Sequence, residues 1–334
     1  MAARYERIMI DSFSTWHNEA GIDIDENTGN IYVINEAGLF VYLRQDGSYI
    51  KQAPIAALNI RPGAACVTVN DNTGAVAAVH EQGLNLYEPS GNGYKESVLD
   101  TFSTNRSGAA CIFHQATGDI YVVNDAEGLS IQQKEGGSYD KKLIDKYGVM
   151  HSSAGIALNE NNGDIFLVVN HKGGGEGPYP MSAAYPPPDS WPKGDCLVRY
   201  RPIGDNRYLK TIIARPIAWQ CGADLDINHG TGEIVMITDP AISIYKPSGD
   251  GYTKKNLVAV HTHAEGTALR LNEATGEIVV VTDGHIHMYG TGHQGEPIDT
   301  AMTRNSGVDV DFNSKTGEIA VVDNRGLTIY RKKA

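Results

Sequence analysis

The chain has 334 residues, 41% of them hydrophobic and 20% charged, and it contains 37 glycines, a composition typical of a soluble globular protein with many tight turns. Its formal net charge of −12 disfavours nucleic acids and anionic membranes as partners, because both would repel it. No apolar run reaches the ~18 residues of a membrane span, residues 1–12 lack a secretory signal pattern, and the four cysteines show no zinc-type or disulfide spacing, so we expect a cytoplasmic protein.

After an N-terminal segment, one phrase recurs seven times: a short alternating strand, a turn ending in Thr-Gly or Asn-Gly, and a β-branched strand. The first copy reads GIDIDENTGNIYVIN and the last reads DVDFNSKTGEIAVVD. The turn glycines are Gly29, Gly74, Gly118, Gly163, Gly232, Gly276 and Gly317. Their separations of 45, 44, 45, 69, 44 and 41 residues indicate a structural repeat with an insertion of about 24 residues in the fourth copy.

Each repeat has the pattern of four antiparallel strands. The first strand alternates, as at Ile22 and Ile24, and the second is a continuous apolar run such as 31–34, typical of a strand buried on both faces. A glycine turn precedes a third strand such as LFVYL, and a fourth strand begins with tyrosine, as in SGNGYKESVL. Cys66 and Cys111 fall inside predicted strands, where a buried thiol acts as a small hydrophobic group.

The two ends of the chain predict how the repeats close. The seventh repeat stops after its third strand at 327–330, while the N-terminal stretch YERIMIDSFST matches YKESVLDTFST, the fourth strand of the second repeat. Closure by a strand from the other end leaves no open sheet edge at the seam. We therefore predict an all-β, seven-bladed β-propeller of four-stranded blades, one domain over residues 1–334, in which the N-terminal strand completes the last blade. A closed ring needs no partner, so we expect a monomer.

In a propeller the first strands line the central channel, and the loops leading into them share one face with the loops between second and third strands. We call this the mouth face. The residues 12 positions before each turn glycine mark the start of the inner strands; they are His17, Pro62, Arg106, His151, Gln220, Ala264 and Asn305. Nearby positions and loops add Glu19, Arg61, His80, His171, His261, His263, His285, His287 and Arg304. Histidine and arginine are therefore concentrated at the predicted mouth face.

This concentration favours acid–base chemistry on a small anionic or lactone-containing substrate. Histidine titrates near neutrality, and arginine holds a carboxylate or a developing oxyanion. We expect His17, His151 and His263 to act as acid and base, and Arg106 to stabilise negative charge. Substrate contacts are expected from Glu19, Arg61, His80, His171, Gln220 and Arg304. The predicted reaction is proton abstraction followed by elimination, or ring opening.

The insertion supplies a candidate lid. Residues 171–195 read HKGGGEGPYPMSAAYPPPDSWPKGD and leave from the mouth face of the fourth blade. Its glycines allow movement, while Tyr179 and Trp191 offer an apolar cover for a substrate. The alternative is a decorated surface loop.

Two histidine pairs raise the question of one divalent metal ion. His261 and His263 alternate on one predicted strand, as do His285 and His287, and nitrogen-rich sites suit Zn, Cu, Ni or Mn. His261, His263 and His285 are the candidate ligands, and packing between imidazoles is the alternative. The Asp and Asn residues of the turns lack calcium-loop spacing, so we expect them to cap the turns.

The pattern [ND]-x-x-[TN]-G, followed by a β-branched strand that ends in Asn or Asp, resembles the class that holds NHL-repeat propellers, gluconolactonases and virginiamycin B lyase. The resemblance to gluconolactonases implies that Glu19 is a metal ligand. Ala154 and Cys221 stand where the later Asn and Asp ligands of those proteins would fall, and neither residue can replace them. The resemblance to virginiamycin B lyase implies a histidine base and anion-stabilising groups around the channel.

Two other functions stay open. One is a non-catalytic propeller that binds a sugar, a metabolite or a peptide, and the other is a metal-dependent lactonase or hydrolase. Pure binding would favour equivalent pockets between blades, whereas the strand-start residues differ from one blade to the next. This variation favours a single asymmetric site, and therefore an enzyme.

Overall fold

The computed structural model describes residues 5–15, 20–58, 60, 65–102, 109–124, 127–146, 154–169, 196–215, 223–238, 241–260, 266–282, 284–290, 295–301 and 307–333. Within these ranges the chain forms 28 strands in seven antiparallel four-stranded sheets. The described part contains no helix long and apolar enough to span a bilayer. The predicted seven-bladed propeller is confirmed.

Six blades each use four consecutive strands. Blade 1 holds β2 (Gly21–Ile24), β3 (Ile31–Asn35), β4 (Gly38–Gln45) and β5 (Ser48–Lys51). Blade 2 holds β6 (Cys66–Asn70), β7 (Ala75–His80), β8 (Gly83–Ser90) and β9 (Gly93–Asp100). Blade 3 holds β10 (Ala110–Phe113), β11 (Ile120–Asn124), β12 (Gly128–Glu135) and β13 (Ser138–Asp145).

The next three blades follow the same order. Blade 4 holds β14 (Ala154–Asn159), β15 (Asp164–Val169), β16 (Cys196–Pro202) and β17 (Tyr208–Ala214). Blade 5 holds β18 (Asp224–Ile227), β19 (Ile234–Thr238), β20 (Ala241–Ser248) and β21 (Gly251–Ala259). Blade 6 holds β22 (Ala268–Asn272), β23 (Glu277–Thr282), β24 (His285–Tyr289) and β25 (Gly295–Thr300).

Blade 7 joins the two ends of the chain. Its first three strands are β26 (Asp309–Phe312), β27 (Ile319–Asp323) and β28 (Gly326–Lys332), and its fourth is the N-terminal strand β1 (Tyr5–Asp11). β1 runs antiparallel to β28, with Tyr5 opposite Lys332 and Ile8 opposite Ile329. The predicted closure by the N-terminal strand is therefore confirmed.

The hydrophobic core is distributed between blades. Second strands such as β3, β11, β19 and β27 are buried at every position, as their continuous apolar runs predict. Seven separate clusters of buried side chains each join two neighbouring blades, and the cluster between blades 7 and 1 contains Ile22, Val33, Val322 and Leu327. Burial between blades is thus what holds the sheets in a ring.

The repeated turns are capped by their own side chains. Asp25 Oδ1 accepts hydrogen bonds from the N–H groups of Asn27 (2.8 Å) and Thr28 (3.0 Å), and Asn70 Oδ1 does the same for its turn. Gly29 closes the first turn at φ 73°, in the left-handed region that favours glycine. Capping, rather than calcium binding, therefore accounts for these polar residues, as predicted.

Candidate functional site

Among the described residues, the charged side chains of the inner strands lie on one side of the central channel. Seven residues occupy the same register position of the seven inner strands, opposite the third residue after each turn glycine; they are Asp23, Thr68, Ile112, Ala157, Asp226, Arg270 and Asp311. Two residues earlier on their strands, Asp224 and Asp309 add carboxyl groups in blades 5 and 7. Blades 5, 6, 7 and 1 thus form a charged half of the wall, and blades 2, 3 and 4 form a neutral half.

The channel aspartates join neighbouring blades. Each accepts a hydrogen bond at Oδ2 from a backbone N–H on the inner strand of the next blade. The pairs are Asp309 with Ile22 (3.0 Å), Asp311 with Ile24 (2.7 Å), Asp23 with Val69 (2.6 Å), Asp224 with Leu269 (2.9 Å) and Asp226 with Leu271 (2.8 Å). A carboxylate that accepts a backbone N–H is a strong hydrogen-bond acceptor. These side chains therefore have a structural role in blade-to-blade contact.

Arg270 supplies the positive charge of this half. Its Nη1 lies 3.2 Å from Asp224 Oδ2 and donates to the Leu269 carbonyl at 2.8 Å. Its other nitrogens lie 3.7 Å from Asp309 Oδ1 and 3.6 Å from Asp311 Oδ1. The side chain keeps 30% of its surface exposed, so the guanidinium both links blades 5, 6 and 7 and faces the channel.

Several of these carboxyl groups hold protons at unusually high pH. Burial raises the pKa of Asp23 to about 7, against the opposing hydrogen bond from the Val69 N–H. Burial likewise raises the pKa of Asp224 to about 7, against the attraction of Arg270. The pKa of Asp311 is raised well above its usual range by burial and by the neighbouring Asp23 carboxyl. Groups that titrate near neutrality in a channel are suited to proton transfer.

Of the predicted substrate contacts, His80 is the one that lies in the described part of the chain. It ends β7 with 5% of its surface exposed, and its Nδ1 accepts a hydrogen bond from the Gln82 N–H at 3.3 Å. Burial lowers the pKa of His80, so the imidazole is neutral at pH 7. This geometry gives His80 a part in the β7–β8 turn, and its contact with substrate stays a prediction.

The candidate metal ligand His285 packs against its neighbour. The rings of His285 and His287 meet edge to face with centroids 5.7 Å apart, and His287 Nδ1 lies 3.3 Å from the Tyr289 hydroxyl. Among the described residues no group of three or more His, Cys, Asp or Glu side chains is arranged to hold a metal ion. The described side chains therefore do not form a metal centre.

The remaining predicted site residues lie outside the described ranges. They are His17, Glu19, Arg61, Arg106, His151, His171, Tyr179, Trp191, Gln220, His261, His263 and Arg304. The candidate lid, 171–195, lies outside them as well. Their proposed roles stay predictions.

The charged half of the channel was missed by the sequence reasoning, although a signal was present. The inner strands alternate with period 2, so one set of residues, Ile22 and Ile24 for example, enters the core. The other set must then face the channel, and it includes Asp23, Arg270 and Asp311. The alternation of the inner strands therefore predicts that these charged side chains line the central channel.

Comparisons with known proteins give the fold and no family. No protein-family model and no curated protein matches the chain. Among solved structures, the extracellular domain of the putative one-component system BT4673 from B. thetaiotaomicron is similar over 99% of this chain, at 15% identity and a TM-score of 0.63. The chain spans only 40% of that protein. The WD40 β-propeller domain of Doa1 is similar over 98% of this chain and 97% of its own length, at 10% identity and a TM-score of 0.62.

Proposed function

We propose that this propeller is an enzyme that acts on one small molecule at the mouth of its central channel, by proton abstraction followed by elimination or ring opening. The observation that carries the proposal is the asymmetry of the channel wall. Seven equivalent blades would give seven equivalent subsites, yet at the channel-facing positions of the described inner strands the charged residues lie in blades 5, 6, 7 and 1. A wall with one charged half suits a single ligand bound in a single orientation.

The chemistry begins with a histidine at the mouth. His17, His151 or His263 removes a proton from the carbon next to a carboxylate or lactone carbonyl, and the electron pair becomes an enolate. Arg61, Arg106 and Arg304 stabilise that enolate. In elimination, the pair then forms a carbon–carbon double bond, and the leaving group departs with its bonding electrons and takes a proton from a second histidine.

The acidic wall below the mouth adds orientation. Above their raised pKa values, the five aspartates outnumber the one arginine and repel a carboxylate that moves down the channel. The anionic end of the substrate therefore stays near the arginines that the sequence predicts at the mouth, and the reacting carbon faces the histidines. Among the propeller families that the sequence resembles, this chemistry follows virginiamycin B lyase more closely than gluconolactonases, since Ala154 and Cys221 cannot replace the Asn and Asp oxygen ligands of the latter.

The second candidate is a propeller that binds a small molecule without changing it. The hydrogen bonds of the five channel aspartates to the next blade favour this reading, because carboxylates fixed in this way have limited freedom to shuttle protons. Both candidates share a cytoplasmic monomer and a small-molecule partner as expectations. They differ in whether a bound ligand is converted.

The test measures turnover of two panels of substrates. Ring opening of lactones is detected by the proton released, and elimination from β-substituted carboxylates is detected by the absorbance of the new double bond. The double variant His151→Ala/His263→Ala should lose about 100-fold or more in kcat/KM. His114→Asn is the matched control, because asparagine occupies this turn position at Asn70 and Asn159. Full activity in the double variant overturns the assignment, and one bound ligand per chain without turnover favours the binding propeller.

A further inference from the structure

Arg199 occupies a strand position that is apolar in every other blade. In β16 it lies opposite Phe166, the third residue after the turn glycine Gly163. The equivalent residues are Val41, Leu86, Ile131, Ile244, Met288 and Ile329, all of them buried. Blade 4 therefore buries a guanidinium where the fold needs only a hydrophobic side chain.

The Arg199 charge has no anionic partner among the described residues. The residue is 7% exposed, its Nε is buried without a hydrogen-bond acceptor, and no described carboxylate lies within ion-pair distance. Its Cζ lies 5.9 Å from the centre of the Tyr252 ring, which contributes a cation–π contact. A buried charge without a counter-charge is unfavourable, so an anion bound from solution would stabilise the folded chain.

A groove between blades 4 and 5 gives this side chain access to solvent. Its volume is about 310 Å³, and it is lined by the turn at Asn161 and Asn162, the turn at Thr231 and Gly232, and both Arg199 and Tyr252. These turns connect first and second strands, so the groove opens on the face opposite the mouth. Its volume is at the lower end of small-molecule sites.

Arg201 and His229, which also line the groove, already have carboxylate partners. Arg201 Nε lies 3.4 Å from Asp164 Oδ1, and His229 Nε2 lies 3.1 Å from Glu273 Oε1. His229 Nδ1 also accepts the Glu160 N–H at 3.4 Å. Among the described residues that line the groove, Arg199 is a cation without a carboxylate partner. One bound anion would therefore balance its charge.

We propose that this groove is an anion-binding site in which Arg199 holds the carboxylate or phosphate group of a small molecule. A guanidinium offers parallel N–H donors that match either group, and that of Arg199 contacts the Tyr252 ring. The site is separate from the channel and needs no part of the mouth. It therefore stands or falls independently of the function proposed above.

The experiment is isothermal titration of the full chain with inorganic phosphate and, separately, with acetate, at constant ionic strength set by chloride. Wild type should bind one anion per chain, and Arg199→Leu should weaken binding at least about tenfold. The preferred anion distinguishes a phosphate ligand from a carboxylate ligand. Arg207→Leu, at an exposed hairpin arginine, is the charge-matched control and should bind as wild type does.

Thermal unfolding gives a second measurement that does not need a ligand. Without added anion, Arg199→Leu should melt at or above the wild-type temperature, because leucine restores the residue type of blade 2. With phosphate or acetate, wild type should gain stability and the variant should not. Equal binding or equal stabilisation of the two proteins, or no saturable binding by wild type, overturns the proposal.

Discussion

Asp23 shows how one channel side chain combines a structural and a titrating role. Its Oδ2 accepts the Val69 N–H at 2.6 Å, and its Oδ1 accepts the Ile24 N–H at 2.9 Å. Burial nevertheless raises its pKa to about 7, because two N–H donors do not fully replace water around the charge. The native chain thus holds a proton here that the unfolded chain, with a pKa near 3.8, has lost.

This difference predicts a pH dependence of stability. Between pH 4 and pH 7 the native state binds more protons at Asp23 than the unfolded state, so its contribution to stability falls as pH rises. Asp23→Asn keeps one of the two acceptor oxygens and removes the ionisation, so any cost of the lost acceptor is the same at both pH values. Relative to wild type, the variant should gain at least about 1.4 kcal/mol between pH 5 and pH 8, the equivalent of one pK unit, measured by urea unfolding at both pH values.

Asp25→Asn is the matched control for this comparison. Other blades have asparagine at the turn position of Asp25, namely Asn70, Asn272 and Asn313, so the turn should form in the variant as it does in those blades. Its stability relative to wild type should change little between the two pH values. If the stability difference between Asp23→Asn and wild type does not depend on pH, the Asp23 carboxyl group of wild type has the same pKa in the native and unfolded states.

At the scale of elements, the fourth strand of one blade is fastened to the next blade by an aspartate. Asp11 of β1 accepts hydrogen bonds from the Tyr42 hydroxyl and the Lys51 ammonium of blade 1, both at 2.6 Å. Asp145 binds Tyr200 and Lys210 of blade 4 in the same way. The N-terminal strand therefore closes blade 7 through its backbone and secures the next seam through one side chain.

Removing that contact should weaken the seam measurably. Asp11→Ala should lower the free energy of unfolding by about 1–3 kcal/mol at pH 7, the range for hydrogen bonds to charged groups. Although burial opposes it, the hydrogen bonds from Lys51 and Tyr42 hold the pKa of Asp11 below 3.8. The difference from wild type should therefore be largest above pH 4 and decrease as pH falls through the folded pKa.

Glu6→Ala is the control on the same strand, since Glu6 is exposed and a surface truncation changes stability by less than about 0.5 kcal/mol. Denaturant unfolding of both variants from pH 2.5 to pH 7 makes the comparison. An equal loss in the two variants at pH 7 would show that the strand, and not the Asp11 contact, supplies the stability of this seam.

For the whole molecule, the repeat length and the split last repeat were sufficient to predict the ring. Regular spacing of Gly29, Gly74 and Gly118 is imposed by local turn chemistry, which the sequence reports directly. The alternation of the inner strands indicates that the aspartates face the channel, but the contacts of Arg199 and of these aspartates were not predicted, because they form where one blade meets the next. Such contacts join residues about 45 positions apart, as for Asp224 and Leu269, and no local pattern specifies them.

Ring closure by a shared blade leads to a prediction about where the chain can be opened. Tyr5 and Lys332 are paired across β1 and β28, so a short linker can join the two ends. Opening the joined chain at Gly47, between β4 and β5, makes blade 1 the blade shared by both ends. This permutant should stay within about 3 °C of the wild-type melting temperature, a cost on the order of 1–2 kcal/mol for a chain of this length.

A second permutant, opened after Gln52 between blades 1 and 2, is the matched comparison. Every blade in it is formed by contiguous residues, so its seam lacks the full strand pairing of a shared blade, and it should melt well below the first permutant. Pairing of a whole strand must break before the first ring can open, whereas the second is held there by the hydrogen bonds of Leu39 with Ala56 and of Asp23 with Val69, and by packing such as that of Ile34 and Val67. Equal melting temperatures would mean that these contacts between blades hold the propeller closed without a shared blade.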